Sequence, residues 1–559
     1  MKFKYYYSNK ISNMEKLHSY QLDVYNECLL KGGGGISLAM GSGKTLISIL
    51  VALKQTEHDN SKILIVVAKN LISVWENEIK KFFEDEFKYT IFINSNRNKE
   101  CDFNKYKIII TTPETLVTFY KTYDIENEFI YIDQRPNSLG IPINYNLYIE
   151  PKSPFLDMLD PERGDLFYAS KWGCLIVDEG HNYFNITSTR SRSICSICTE
   201  HRWVLSGTLF DEPKDERILG YLLMINDRKY PRNLPDLQIL IRSRKFKGLL
   251  ETLIYRKNNI MTPTNLKVNQ TVVNHRLNTY ETAIYLSLKR VLKMLRLSLL
   301  EFKRAGDKEQ VRKFSSYLLV MIMHTRTFLV CPLITLSSIY LDITDYENKS
   351  ELTKLLYEEF TKNNLYTWLD NEDSVFSSRL QEINKVLIEH SKDRVVIFTS
   401  FRTTVNVITH YIKNRPVFMI NPTHSPQKRG EILVDFEKSK NGVLVLTYSL
   451  GSDGLNLQCA NTVLIADYWW NSGKTKQGVA RINRYGQLAP EVHVYYFTSN
   501  TGIEKAIFGK HHDKMKIQDE LMVGHQISKI KKIKTEDILK IIEYDEYLND
   551  FTSTYLTNK

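Results

Sequence analysis

The sequence predicts an α/β protein: two sheets of parallel strands, each covered by helices, with a mainly helical block between them. Three observations carry that expectation. Short β-branched runs recur up to residue 208 and again from residue 394, helical periodicity fills the gaps between them, and residues 215–381 show helical spacing without such runs.

The first strands are read at SKILIVVA (61–68), YKIIITT (106–112), WGCLIVDEG (172–180) and WVLSGT (203–208), each apolar along its length and ending in small or polar residues. Runs of this kind suit strands buried on both faces, as in a parallel sheet. Between the first two, ISVWENEIKKFF (72–83) has the spacing of a helix. In the central block ETAIYLSLKRVLKMLRLSLLEFKR (281–304) extends that periodicity, and Asn278 with Glu281 offers a capping box at its start. Strands return at RVVIFTS (394–400), GVLVLTY (442–448), TVLIADY (462–468) and HVYYFT (493–498). The reading divides the chain into an N-terminal lobe (1–214), a mainly helical, basic inter-lobe region (215–376), a C-terminal lobe (377–510) and a charged helical tail (511–559). In the tail, KIKKIK (529–534) reads either as a solvated helix face or as a localisation signal.

At 559 residues with 43% hydrophobic and 25% charged side chains, the composition is that of an ordinary globular protein, which excludes a disordered or fibrous chain. No run approaches eighteen apolar residues, and MKFKYYYSNK lacks the apolar core of a secretory signal, so the expectation is a soluble, intracellular protein without a membrane segment. Seven scattered cysteines do not suggest a disulfide framework. Cys195 and Cys198 form a CxxC without a second ligand pair, which reads as packing rather than a metal site. The net charge of +11 is concentrated: residues 242–313 hold seventeen Lys/Arg against five Asp/Glu. Such a segment suits a surface that follows phosphates, and equally a solvated helix face.

Two motifs carry chemistry. LAMGSGKT (38–45) runs into an apolar helix-like stretch. In a phosphate-binding loop of this type Gly41 and Gly43 bring the backbone close, the Ser42 segment wraps the phosphates, Lys44 reaches the β- and γ-phosphates and Thr45 coordinates Mg²⁺. Leu38 stands where the first glycine of the full pattern belongs. A second SGKT at 472–475 has no strong apolar helix after it and reads as a loop coincidence. The other motif, LIVDEGH (175–181), sets two carboxylates at the end of an apolar strand: Asp178 to hold Mg²⁺ and Glu179 to orient the attacking water. Together they point to hydrolysis of ATP. A transferring phosphoryl group also needs positive charge, and QGVARINRYGQ (477–487) supplies Arg481 and Arg484, three apart and on one face if helical.

In this order the motifs resemble the Swi/Snf-type ATPases of helicase superfamily 2. The resemblance extends through LHSYQLDVYNECLLKGGGGISLAMGSGKT (17–45), ILIVVAKNLISVWENEIKKF (63–82) with its Trp75 and Glu76, KIIITTPETL (107–116), WVLSGTLFDEP (203–213) and the C-terminal segments 377–401, 446–471 and 477–508. The family implies two RecA-like P-loop lobes with helical protrusions between their core motifs, ATP and Mg²⁺ as cofactors, and a nucleic-acid track, double-stranded DNA first and RNA as an alternative. It implies adenine reading by Gln21, coupling of the ATP site to the track through His181, Ser206, Thr208 and Gln477, and a place for Gly454 and Asn456 at the nucleotide or track interface. The compact form resembles those of large DNA viruses, the baculovirus global transactivator among them. Several positions depart from the family pattern: Leu38 and Ala39 stand in place of the acidic pair usual before the P-loop, Ala68 in place of a usual proline, and Ala480 and Asn483 in place of an acid and a histidine. Three functions follow as expectations: translocation on duplex DNA, strand separation of DNA or RNA, or a catalytically weak DNA-binding scaffold, to which the departures point.

Overall fold

The structure is a computed structural model. It describes residues 17–38, 42–83, 87–96, 102–126, 131–133, 145–148, 167–168, 170–207, 209, 215–225, 230–243, 252–256, 267–341, 349–366, 377–451, 455, 457–469, 472–482, 487–499, 501–505 and 507. The contacts divide these into two compact units, one ending at Arg256 among the described residues and the other beginning at Lys267.

In the first unit seven strands form one sheet: β1 (Gly34–Ser37), β2 (Lys62–Val66), β3 (Tyr89–Ile91), β4 (Ile108–Thr111), β7 (Trp172–Val177), β8 (Thr199–Ser206) and β9 (Ile254–Arg256). Their order is β3-β4-β2-β7-β8-β1-β9, and each adjacent pair is parallel. Alternate residues serve two cores. Ile63, Ile65, Cys174 and Ile176 pack under the helices Ser19–Lys31, Lys44–Gln55 and Ile72–Phe83, while Leu64, Val66, Leu175 and Val177 face the helices Thr189–Cys195 and Asp215–Ile225. That two-sided burial is why these strands read as unbroken apolar runs. A separate antiparallel pair, β5 (Tyr131–Asp133) with β6 (Tyr145–Tyr148), lies in the segment between the motifs at 107–116 and 175–181.

The second unit has six strands: β10 (Lys267–Asn274), β11 (Val395–Thr399), β12 (Val417–Ile420), β13 (Val443–Thr447), β14 (Thr462–Ile465) and β15 (Glu491–Thr498), in the order β10-β15-β14-β11-β13-β12 and again all parallel. One sheet face, through Val396, Phe398, Leu444 and Ile465, shares a core with the long helices Thr279–Ala305 and Lys308–Val330. The other packs on the helices Ser378–Glu389 and Arg402–Tyr411.

Residues 215–376, set apart by sequence, divide between the two units. Ile218, Leu219, Tyr221 and Leu237 join the first core, whereas Leu288, Val291, Leu318 and Met321 join the second. This stretch also contains β9 and β10, which the expectation of a mainly helical block missed. β10 is an edge strand with most of its side chains half-buried or exposed, so it lacks the apolar run that marks a central strand. The capping box is present as expected: Asn278 Oδ1 accepts from the Glu281 backbone N–H, and Glu281 Oε2 accepts from that of Asn278, both at 2.8 Å. The charged tail, with KIKKIK, lies outside the described residues.

Candidate active site

The C-terminal ends of β2, β7, β8 and β1 share one edge, where a parallel α/β sheet receives its ligands. Register decides which residues meet there. Ser37 of β1 lies beside Ser206 of β8, and Val177 of β7 beside Val204, so the loop after β1, residues 178–181 and Ser206 emerge together.

The loop after β1 enters the helix Lys44–Gln55 through Gly43, whose φ is 78°. An added Cβ there would lie 2.3 Å from Gln21 Nε2, so glycine is required for both conformation and space. The Ser42 carbonyl accepts from Gln21 Nε2 at 3.1 Å and from the Tyr20 hydroxyl at 3.0 Å, while Gln21 Oε1 accepts from the His18 backbone N–H at 3.0 Å. Gln21 thus braces the loop from behind. Lys44 Nζ donates to the Leu38 carbonyl at 2.9 Å, and its charge acts on Asp178. Thr45 stands half-buried in the first turn. A helix N-terminus with a lysine at its first position is a ready site for phosphate.

Both oxygens of the half-buried Asp178 carboxylate are held. Oδ2 accepts from the Trp75 indole N–H at 2.8 Å and Oδ1 from the Glu179 backbone N–H at 2.9 Å. Burial, then the adjacent Glu179 carboxylate, hold Asp178 well above the ordinary carboxylate range. Glu179 has φ 45°, a strained backbone for a side chain of its size and the kind of strain that collects at functional sites. Its Oε2 is buried and accepts no hydrogen bond from a described residue, lying 3.3 Å from His181 Nδ1. That nitrogen is closer to Ser206 Oγ, at 2.7 Å. One ring nitrogen cannot bond both fully, so the imidazole is committed to Ser206. Arg217 donates to the His181 carbonyl at 2.7 Å, and Gly180 packs so tightly that a Cβ would meet Val204 Cγ1 at 2.3 Å. Two adjacent half-buried carboxylates, with the Lys44 charge acting on the Asp178 one, leave surplus negative charge, which is the donor chemistry a divalent cation takes.

The structure thus brings Gln21, Ser42, Gly43, Lys44, Asp178, Glu179, His181 and Ser206 together in the first unit. Gly41, Thr208, Gly454, Asn456 and Arg484 lie outside the described residues. Within the second unit, Gln477 is buried on the helix Ser472–Val479. That helix stops before Arg481, so the condition for a shared helical face is not met at Arg481, which lies in the turn that follows, 4% exposed. Gln487 closes this region by donating to the carbonyls of Ala460 and Ile482 at 2.8 and 3.1 Å. The second SGKT is corrected: it begins that helix rather than a loop, because the chain after β14 needs a crossover helix there. Lys474 lies over the Trp469 ring at 5.1 Å. Sequence reasoning matched Trp75 without giving it a role, and it missed Tyr20 and Arg217 entirely.

This fold and site define a P-loop ATP hydrolase with two RecA-like lobes. Residues 24–232 match the SNF2-related domain and residues 378–486 the helicase conserved C-terminal domain. The chain belongs to the Swi/Snf-type ATPases of helicase superfamily 2. It is 22% identical to protein 172L of Invertebrate iridescent virus 6, whose name places it among helicases, over 85% of this chain and 82% of that one. It is 23% identical to the ATP-dependent helicase fft1 of Schizosaccharomyces pombe and 22% identical to the ISWI chromatin-remodeling complex ATPase ISW2 of Saccharomyces cerevisiae, each over 95% of this chain. Of those two relatives it spans 55% and 43%. Among the described residues, no helix is long and apolar enough to cross a membrane.

Proposed function

We propose that the chain is a motor that couples ATP hydrolysis to translocation along duplex DNA. The observation that carries this reading is the His181 contact. His181 sits between Glu179, which would activate water, and Ser206, at the end of the next strand, so a displacement of β8 would be felt at the catalytic carboxylate. A plain hydrolase has no need of that link; a motor does.

Asp178 and Thr45 would hold Mg²⁺, which when bound with ATP supplies charge neutralisation at the phosphates. Lys44 and the backbone of the loop around Ser42 and Gly43 would cradle the phosphates, and Gln21 would read the adenine with its remaining amide capacity. Glu179 would take its position on the water through the αL turn that aims it. Arg481 and Arg484 of the second unit would stabilise the transferring phosphoryl group once the lobes close on the nucleotide, and Gln477 and Gly454 would line the same closure. For the track, Arg290, Lys293, Lys303, Arg304, Lys308 and Arg312 are exposed along the two long helices of the second unit, a distribution that suits phosphate contacts. The name of ISW2, a chromatin-remodelling ATPase, favours duplex DNA.

The deciding experiment is an ATPase titration with duplex DNA, single-stranded DNA and RNA, paired with displacement of a third strand from a triplex. Stimulation by duplex DNA with triplex displacement supports the reading. ATP-dependent release of single strands would make the chain a helicase, and an RNA-only response would move the track to RNA. Lys44→Ala and Glu179→Gln should each lower turnover by roughly 100-fold or more; retained function in both would leave a DNA-binding scaffold instead.

A further inference from the structure

Of the contacts around the paired carboxylates, the Trp75 indole stands out because it reaches the acid from a different helix. Trp75 lies on Ile72–Phe83, 1% exposed, with Ile79 and Phe83 beside it in the core beneath the first sheet. Its ring is packing. Its N–H is the one polar atom of that side chain, and it donates to Asp178 Oδ2 at 2.8 Å. Since Oδ1 is already taken by the Glu179 backbone N–H at 2.9 Å, the two bonds together leave the carboxylate plane no freedom to rotate.

We propose that Trp75 is a positioning residue for the site's metal: it fixes the orientation in which the Asp178 carboxylate meets a divalent cation, so the cation is bound by a ligand set before it arrives. The inference rests on the ATPase reading above, in which Asp178 holds the cation. The physics is that of any outer ligand in a metal site. A carboxylate free to turn must be ordered on binding, whereas one already held by an indole and a main-chain N–H is not, and losing such a partner typically weakens metal affinity by roughly 10- to 100-fold. The helix carrying Trp75 follows β2 after the short 3₁₀ turn Lys69–Leu71, so any shift of that helix is transmitted to the acid through one bond.

The test is Trp75→Phe, which keeps an aromatic ring in the core and removes the donor. Mn²⁺ binding is read from the free-ion electron paramagnetic resonance signal in the presence of ADP, and ADP affinity is measured separately in EDTA. The expected result is a Mn²⁺ dissociation constant raised roughly 10-fold or more, with metal-free ADP affinity unchanged. Mn²⁺ binding equal to wild type in a folded variant overturns the proposal. If the smaller ring prevents folding, benzothienylalanine at position 75 retains the shape of the indole and lacks only its N–H, and the same two outcomes apply. A wild-type chain that binds no Mn²⁺ with ADP overturns the nucleotide-site reading and this role with it, so the wild-type trace separates the two failures.

Discussion

Arg379 is fully buried, and its guanidinium donates to both oxygens of Glu504 at 2.7 Å and to the Ala466 carbonyl at 2.9 Å. This pair ties the helix Ser378–Glu389 to the end of β14 and to the segment after β15. Arg379→Met would leave the Glu504 carboxylate buried without a cation, held by the Ser499 N–H and hydroxyl, which both donate to it at 2.7 Å, and by the Thr498 hydroxyl at 3.4 Å. Removing one member of a buried ion pair costs about 3–5 kcal/mol, because an uncompensated charge remains. In a unit of this size that lowers the thermal midpoint by roughly 6–20 °C. The pH dependence is a second signature. Although burial opposes it, the Arg379 charge and its hydrogen bonds hold Glu504 below the usual carboxylate value, so the pair's stabilisation is present above about pH 4.5 and is lost as pH falls through the folded value. The deficit of Arg379→Met should therefore shrink on acidification below that point. The assay is thermal unfolding followed by circular dichroism at pH 7 and pH 4, with Arg379→Met, Glu504→Leu and the double variant. The double variant should be less damaged than the sum of the singles by about 2 kcal/mol or more. Additive losses, or a deficit that does not change with pH, would refute the reasoning.

Three further outcomes follow from individual contacts. Gly43→Ala places a Cβ against Gln21 at positive φ and should weaken ATP binding by about 2 kcal/mol, or roughly 30-fold, from backbone strain plus loss of the Gln21 bond to Ser42; an isothermal titration with unchanged affinity would contradict it. Ser206→Ala frees His181 Nδ1 to turn to Glu179, and should reduce the nucleic-acid stimulation of ATPase activity by about 5- to 10-fold while leaving basal turnover within about twofold; equal losses in both would show that Ser206 is merely structural. His275 is buried, and burial first and the Arg379 charge second push its imidazole down to about 3. The unfolded chain takes up a proton near pH 6.5 that the folded chain refuses until about pH 3, so stability falls through that window by up to about 5 kcal/mol. His275→Leu should flatten that acid decline, measured as unfolding midpoint against pH, and an unchanged slope would exclude His275 as its source.

What the sequence made legible is what a parallel sheet makes local. β2, β4, β7, β11 and β13 are buried on both faces, so their apolar runs announce them, and the motif residues follow directly at their C-terminal ends. β10 was not legible because its side chains are half-buried or exposed along an edge, and β9 because its three residues, though Ile254 and Tyr255 are buried, are too short a run to show a pattern. The site's internal wiring was hidden for a different reason. The bonds from Trp75 to Asp178, from Gln21 to Ser42 and from His181 to Ser206 join residues 103, 21 and 25 positions apart, and no local periodicity encodes such pairings.

The departures from the family pattern can be judged in the same physical terms, and two are mild. Leu38 replaces a glycine, yet what Lys44 uses there is the main-chain carbonyl, which any residue supplies, while the leucine side chain is buried in the core beside the helix Lys44–Gln55. Ala68 replaces a proline, and its φ is −63°, within the range a pyrrolidine ring enforces. It heads the short 3₁₀ turn Lys69–Leu71, where its carbonyl accepts from the Leu71 N–H at 2.8 Å, a bond that proline would keep. The preceding Val67 N–H bonds the Thr111 carbonyl at 3.0 Å and so continues the pairing of β2 with β4 into the proline-compatible extended region. Ala68→Pro should thus stabilise the chain by about 0.4–1 kcal/mol by restricting its unfolded state, visible as a rise of a few degrees in the first unit's thermal transition with ATPase activity unchanged. A lowered midpoint would mean that the Ala68 N–H or the Val67 conformation carries something proline cannot reproduce, and the departure would then mark a real divergence of this lobe from its relatives.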